Sequence, residues 1–141
     1  MKYLKLPGLE KGQWYDRDTI LLEAAFQVLV DFIEKEKPGE VIDWDYDEEH
    51  KKVWDEIQSL YKWWKEERPA RIDPVMDDSL EAPPFEFETR EDGSSVWNPE
   101  KEKYAEFWKA CEESSRLEII WNEEDQKNLH RLIDIRRHMW T

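Results

Sequence analysis

The chain has 141 residues, with 21 Lys and Arg against 35 Asp and Glu and a formal net charge of −14. That balance excludes direct binding to DNA, RNA or anionic lipid, which needs cationic surface. Charge this dense would also suit a disordered chain, yet nine Trp, five Tyr and five Phe supply large apolar rings for a core.

One domain spanning 1–141 is expected, since domains run to about 100–200 residues. Residues 1–17 read as an irregular lead-in punctuated by Pro7, Gly8 and Gly12. Asp16 or Asp18 suits the N-cap of a helix from Thr19 to about Glu36. Its polar positions Glu23, Gln27 and Asp31 recur every four residues, leaving a narrow polar stripe on an apolar cylinder. Pro38-Gly39 ends that helix, and the alternation in residues 40–47 predicts a short extended piece. A second helix is predicted from about Asp47 to Glu67, with Val53, Ile57, Leu60 and Trp64 on one stripe, Trp54 and Tyr61 beside it, and Pro69 stopping it. Trp63 falls off the stripe, so it is expected either exposed or under the following loop.

Residues 68–99 carry five of the seven prolines and form a long connection. Alternation around Asp92-Gly93 fits a small hairpin over residues 85–97 or, equally, an irregular loop. Pro99 suits the first position of a third helix, to about Arg116, with Tyr104, Phe107, Trp108 and Cys111 inward. A last helix carries Leu117, Ile120, Trp121, Leu129, Leu132, Ile133, Arg136 and Trp140 on its apolar face. The gap at 124–128 is either a polar patch on one continuous helix or a break capped by Asn122. The fold class is therefore all-α, a three- or four-helix bundle with a long Pro-rich connection.

Several residue groups are candidates for chemistry. Asp43-x-Asp45-x-Asp47 opens like a calcium loop but lacks its glycine and closing acid, so helix capping explains it. Glu23, Asp31 and Glu34 are candidate ligands for Mg²⁺ or Mn²⁺, with Asp31-Phe-Ile-Glu34 resembling one imperfect acidic pair of the all-α nucleotide pyrophosphatases. Trp63, Arg68 and Arg71 combine rings with guanidinium groups, which can clasp a nucleotide or make internal salt bridges. Arg131, Arg136 and Arg137, flanked by His130 and His138, form a basic island. If buried, Arg136 needs a carboxylate, and Glu23 or Asp31 on the first helix would supply it. Cys111 is single, so no internal disulfide is expected, and a reducing cytoplasm fits. No run is long enough to span a membrane and no signal peptide is expected at the N-terminus.

The segments LLEAAFQVLVDFIEKEKP, DEEHKKVWDEIQSLYKWWKEERPARIDP and WNEEDQKNLHRLIDIRRHMWT resemble a family of small acidic proteins of unknown function encoded by tailed bacteriophages. The resemblance covers residues 20–75 and 117–141. It implies an infected-host cytoplasm and brings no catalytic residues. In that setting three functions are expected to compete. One is a non-enzymatic counter-defence protein binding a host or phage protein, such as a nucleic-acid-binding one, through an acidic surface. The others are sequestration of a nucleotide immune signal by an aromatic and Arg pocket, and a metal-dependent nucleotide hydrolase.

Overall fold

A computed structural model describes residues 3–97 and 99–140. Those residues are mostly helical, with one two-stranded antiparallel sheet. Where a single domain is expected, they divide into two compact units, one running up to Arg71 and resuming at Glu123, the other spanning Ile72–Asn122.

The first unit begins with an irregular lead-in, pinned where Glu10 N–H donates to Tyr15 Oη at 3.0 Å. Helix α1 spans Arg17–Glu36, two residues longer at its start than predicted. Asp16 is its N-cap without a side-chain bond, while Asp18 Oδ1 accepts from Thr19 N–H at 2.8 Å. Phe26, Leu29, Val30 and Phe32 are buried, whereas Ile20 and Leu21 face solvent, so α1 is covered on part of its circumference only.

Lys37 takes a left-handed φ of 48° and breaks α1. The predicted extended piece does not form. Pro38, with its fixed φ, instead starts a one-turn helix α2, Pro38–Val41. Turns follow, because Trp44 folds back to donate its indole N–H to Pro38 O at 3.0 Å and to stack on Trp54 at 4.9 Å. The acids here serve the backbone: Asp43 Oδ1 accepts from Asp45 N–H at 3.1 Å, and Asp47 Oδ1 from His50 N–H at 2.8 Å.

Asp47 thereby caps α3, Glu48–Lys62. Its stripe Val53, Ile57 and Leu60 is buried as predicted. The chain then widens into a π-turn, Trp63–Glu67, before a 3₁₀ turn at Arg68–Ala70. Trp63 is not exposed; it belongs to the core, and Arg71, at the start of the 68–99 connection, lies over its ring. The stripe assumed one covered face, but this segment is covered on two. Trp64 stacks on Phe26 of α1 at 4.6 Å, and Trp63 meets both Phe26 and Glu124. The core comprises Phe26, Leu29, Phe32, Trp44, Val53, Ile57, Leu60, Trp63, Leu132 and Ile135.

Helix α4 runs unbroken over Ala105–Ile135, so Asn122 caps nothing and the polar gap lies on a continuous helix. The predicted start at Pro99 shifts to Ala105. Residues 101–104 form turns instead, in which Tyr104 N–H donates to Glu100 O at 3.2 Å. At the other end, Arg136–His138 form a 3₁₀ turn.

In the second unit a 3₁₀ turn, Pro74–Met76, is capped by Asp73, whose Oδ1 accepts from Val75 N–H at 3.0 Å. Strands β1, Phe87–Thr89, and β2, Ser95–Trp97, make the hairpin, in register Phe87 with Trp97 and Thr89 with Ser95. Gly93 has φ 83°, which its turn requires. Asp92 Oδ1 closes the turn by accepting from Ser94 N–H and Oγ at 2.9 and 2.6 Å. Trp97 donates its indole N–H to Pro84 O at 3.1 Å, tying the hairpin to the Pro-rich segment before it. Trp97 also packs on Phe85 and Trp108, and Tyr104 is buried. None of the helices described is long and apolar enough to cross a membrane.

Candidate functional site

Within the first unit, the Trp63–Arg71 segment meets the polar stretch of α4. Residues 121, 125, 128, 132 and 135 recur at helical spacing, so Asp125 and Asn128 continue the apolar stripe rather than interrupt it. Asn128 is buried, and Glu124 and Asp125 are half-buried. Arg68 donates Nε and Nη2 to the two oxygens of Asp125, each at 3.1 Å, a bidentate pair. Arg71 Nη2 lies 2.8 Å from Asp125 Oδ1 and 3.0 Å from Glu124 Oε1. Trp63 donates its indole N–H to Glu124 Oε1. Each guanidinium also covers a ring: Arg68 Cζ is 4.8 Å from the Trp64 centroid and Arg71 Cζ 5.7 Å from that of Trp63.

The three candidates Trp63, Arg68 and Arg71 are thus brought together, and their polar groups are turned onto two carboxylates of the same unit. Burial pushes the Asp125 carboxyl up, but hydrogen bonds from Arg68 and Arg71 outweigh it and hold the group below the usual aspartate range. The same contest, with Trp63 and Arg71 as donors, lowers Glu124.

The basic island splits. Arg131 Nη2 is 2.9 Å from Glu56 Oε2 and 3.2 Å from Ser59 Oγ, and Nη1 is 2.7 Å from Asn128 Oδ1. The hydrogen bonds from Arg131 hold Glu56 low. Arg136 and Arg137 are exposed. The expected pairing of Arg136 with Glu23 or Asp31 is not formed: Arg136 lies in the 3₁₀ turn after α4, off the helical phase that brings Leu132 and Ile135 inward. His138 instead approaches His50, ring centroids 6.0 Å apart.

Glu23 and Glu34 line one cleft, without Asp31. Asp31 accepts from Gln27 Nε2 at 2.9 Å and lies 2.7 Å from Lys35 Nζ, contacts that lower it. Glu34 accepts from Tyr61 Oη at 2.8 Å and lies 3.4 Å from Lys65 Nζ. Burial raises Glu23, and Arg68 offsets that only in part. Among the described residues, no group of three or more His, Cys, Asp or Glu side chains is arranged to hold a metal ion.

The second unit holds 14 acidic side chains against five basic ones, a net of −9 within the −14 of the whole chain. Among its described residues one ion pair forms, Glu113 with Arg116. Ile72, Met76, Phe85, Phe87, Ile119 and Ile120 are exposed on it. A cavity of about 850 Å³ is lined by Trp97, Pro99, Trp108 and Cys111 with Glu102 and Glu112. The sequence shows acids gathered in the long connection, but not the bounds of this unit, which contacts between residues set.

Comparison with protein-family models, curated proteins and solved structures gives no match.

The ion pairs set an acid response. Glu56, Glu124 and Asp125 are all held below their ordinary values of 4.5, 4.5 and 3.8. Lowered groups stabilise the fold above the unfolded value, and that contribution is lost as pH falls through the folded one. The melting temperature should stay level from pH 7 to about 5, then drop by about 10 °C on reaching pH 3. Melting followed by circular dichroism checks this; a level profile to pH 3 would show the pairs to be inert.

Proposed function

We propose that the chain is a non-enzymatic binding protein that docks a basic host protein through its acidic Ile72–Asn122 unit, acting in phage counter-defence. The observation that carries this reading is the net −9 of that unit beside exposed Phe85 and Phe87. Opposite charge steers encounter and selects partners, while exposed rings supply contact area. A nucleic-acid-binding protein, whose own surface is cationic, fits such a face. The nucleotide-sequestering alternative is less well supported, because Arg68 and Arg71 are engaged by Asp125 and Glu124. The hydrolase alternative is less well supported, because Asp31 is engaged by Gln27 and Lys35 and Glu34 by Tyr61 and Lys65.

Immobilised protein should capture a defined basic polypeptide from host extract at about 0.1 M salt and release it by about 0.5 M, as screening shortens the reach of surface charge. The triple variant Glu86→Gln, Glu88→Gln, Glu91→Gln on the hairpin should weaken capture about tenfold. Capture indifferent to both salt and substitution would sink the reading. A bound nucleotide, visible as excess absorbance near 260 nm, would favour the sequestering alternative instead.

A further inference from the structure

A cleft of about 430 Å³ opens on the first unit, with Pro7 and Gly8 on one side and α1 and the π-turn on the others. Glu23, Gln27, Glu34, Trp64, Lys65 and Arg68 line it. Its cationic side chains are already held: Arg68 by both oxygens of Asp125, and Lys65 at 3.4 Å from Glu34. Gln27 spends an amide N–H on Asp31, leaving its carbonyl oxygen as an acceptor. Glu23 is half-buried and receives no hydrogen bond from any described residue. The lead-in backbone presses on this carboxylate, since a Cβ added at Gly8 would lie 2.5 Å from Glu23 Oε2. The cleft therefore combines a carboxylate without a donor, an amide acceptor and an aromatic ring.

We propose that this cleft binds an aliphatic ammonium group, with Glu23 as its counter-charge, Gln27 Oε1 as a second acceptor and Trp64 as its apolar wall. An ammonium gives three donors to these acceptors, and its alkyl stem lies along the edge of the indole, whose faces are taken by Phe26 and Arg68. Burial that raises the carboxyl of Glu23 is relieved when a cation arrives, which favours ligand over water there. The group can belong to a free alkylamine or to a lysine side chain of a polypeptide. The site is independent of the acidic face of the second unit.

The full chain is titrated with n-butylammonium chloride while the indole N–H resonance of Trp64, assigned by its loss in Trp64→Phe, is followed by NMR. A saturable shift with half-saturation at about millimolar concentration is expected. Glu23→Gln keeps the side-chain shape and should weaken binding at least tenfold with the protein still folded by circular dichroism. Neutral n-butanol should give no saturable shift. N-acetyl-lysine amide binding tenfold more tightly than n-butylammonium supports the site with a polypeptide lysine as its source; equal or weaker binding supports it with a free amine. The hairpin triple variant should titrate like the parent chain, so failure of the acidic docking face leaves this site standing. Absence of a saturable shift, a Glu23→Gln protein that binds as well as the parent, or equal binding of n-butanol would each overturn it.

Discussion

Phe26→Ala should lower the unfolding free energy by about 4 kcal/mol, within the range seen for buried Phe truncations. The ring has no exposed surface. It stacks on Trp64 at 4.6 Å with planes 10° apart and meets Trp63 at 5.2 Å and 57°. Aromatic pairs contribute about 0.5–1.5 kcal/mol beyond area burial, so the truncation loses two such pairs together with transfer energy. Little can collapse into the space, because Trp63 is held by Glu124 and Arg68 covers Trp64. Urea denaturation measures the change. A loss below about 2 kcal/mol would mean that the indoles repack and that the ring pairs contribute little.

Asp125→Asn should cost about 3 kcal/mol, the lower end of the range for breaking a buried ion pair from one side. The carboxylate answers two guanidinium groups at once, and its side chain and that of Arg71 each keep only 15% of their exposure. The amide retains the shape but offers one acceptor and two donors, and the donors point at cations. Arg68 then lacks its paired carboxylate, and Arg71 keeps only Glu124. The double substitution Asp125→Asn with Arg68→Gln should restore part of the loss, since both partners of the bidentate pair become neutral. Additive costs in that cycle would remove Asp125 from its place as the counter-charge of Arg68.

The sequence made much of the helical content legible, and individual residues show where it stopped. Val53, Ile57 and Leu60 follow helical spacing and are buried. Asp92-Gly93 marked the hairpin turn, although spacing alone did not separate hairpin from loop. Residues 40–47 alternate like a strand, but among the described residues β1 and β2 pair only with each other, and Trp44 of this stretch stacks on Trp54 instead. Glu124, Asp125 and Asn128 looked like an interruption because polarity was read as exposure. Glu124 and Asp125 are inward because Arg68 and Arg71 arrive from elsewhere in the chain, and a periodicity within one helix contains no record of such partners; Asn128 is met by Arg131 of its own helix. For Trp63, Arg68 and Arg71 the sequence left a ligand clasp and internal salt bridges both open, and the salt bridges form. Arg136 was expected to pair inward because the helix was extended through it; the chain tightens to 3₁₀ at that residue and the phase is lost.

The division of the chain also orders events during its synthesis. Leu132 and Ile135 complete the core of the first unit, and Glu124 and Asp125 neutralise its arginines, yet all four are made more than fifty residues after Arg71. At a synthesis rate of about 5–20 residues per second, the Trp-rich first 71 residues wait several seconds for the partners that α4 brings, Glu124 for Trp63 among them. The Ile72–Asn122 stretch is continuous and has every residue it needs as soon as it emerges. Premature termination after Asn122 would therefore release a chain whose apolar rings have lost their cover, a species for chaperones and proteases rather than a smaller working protein.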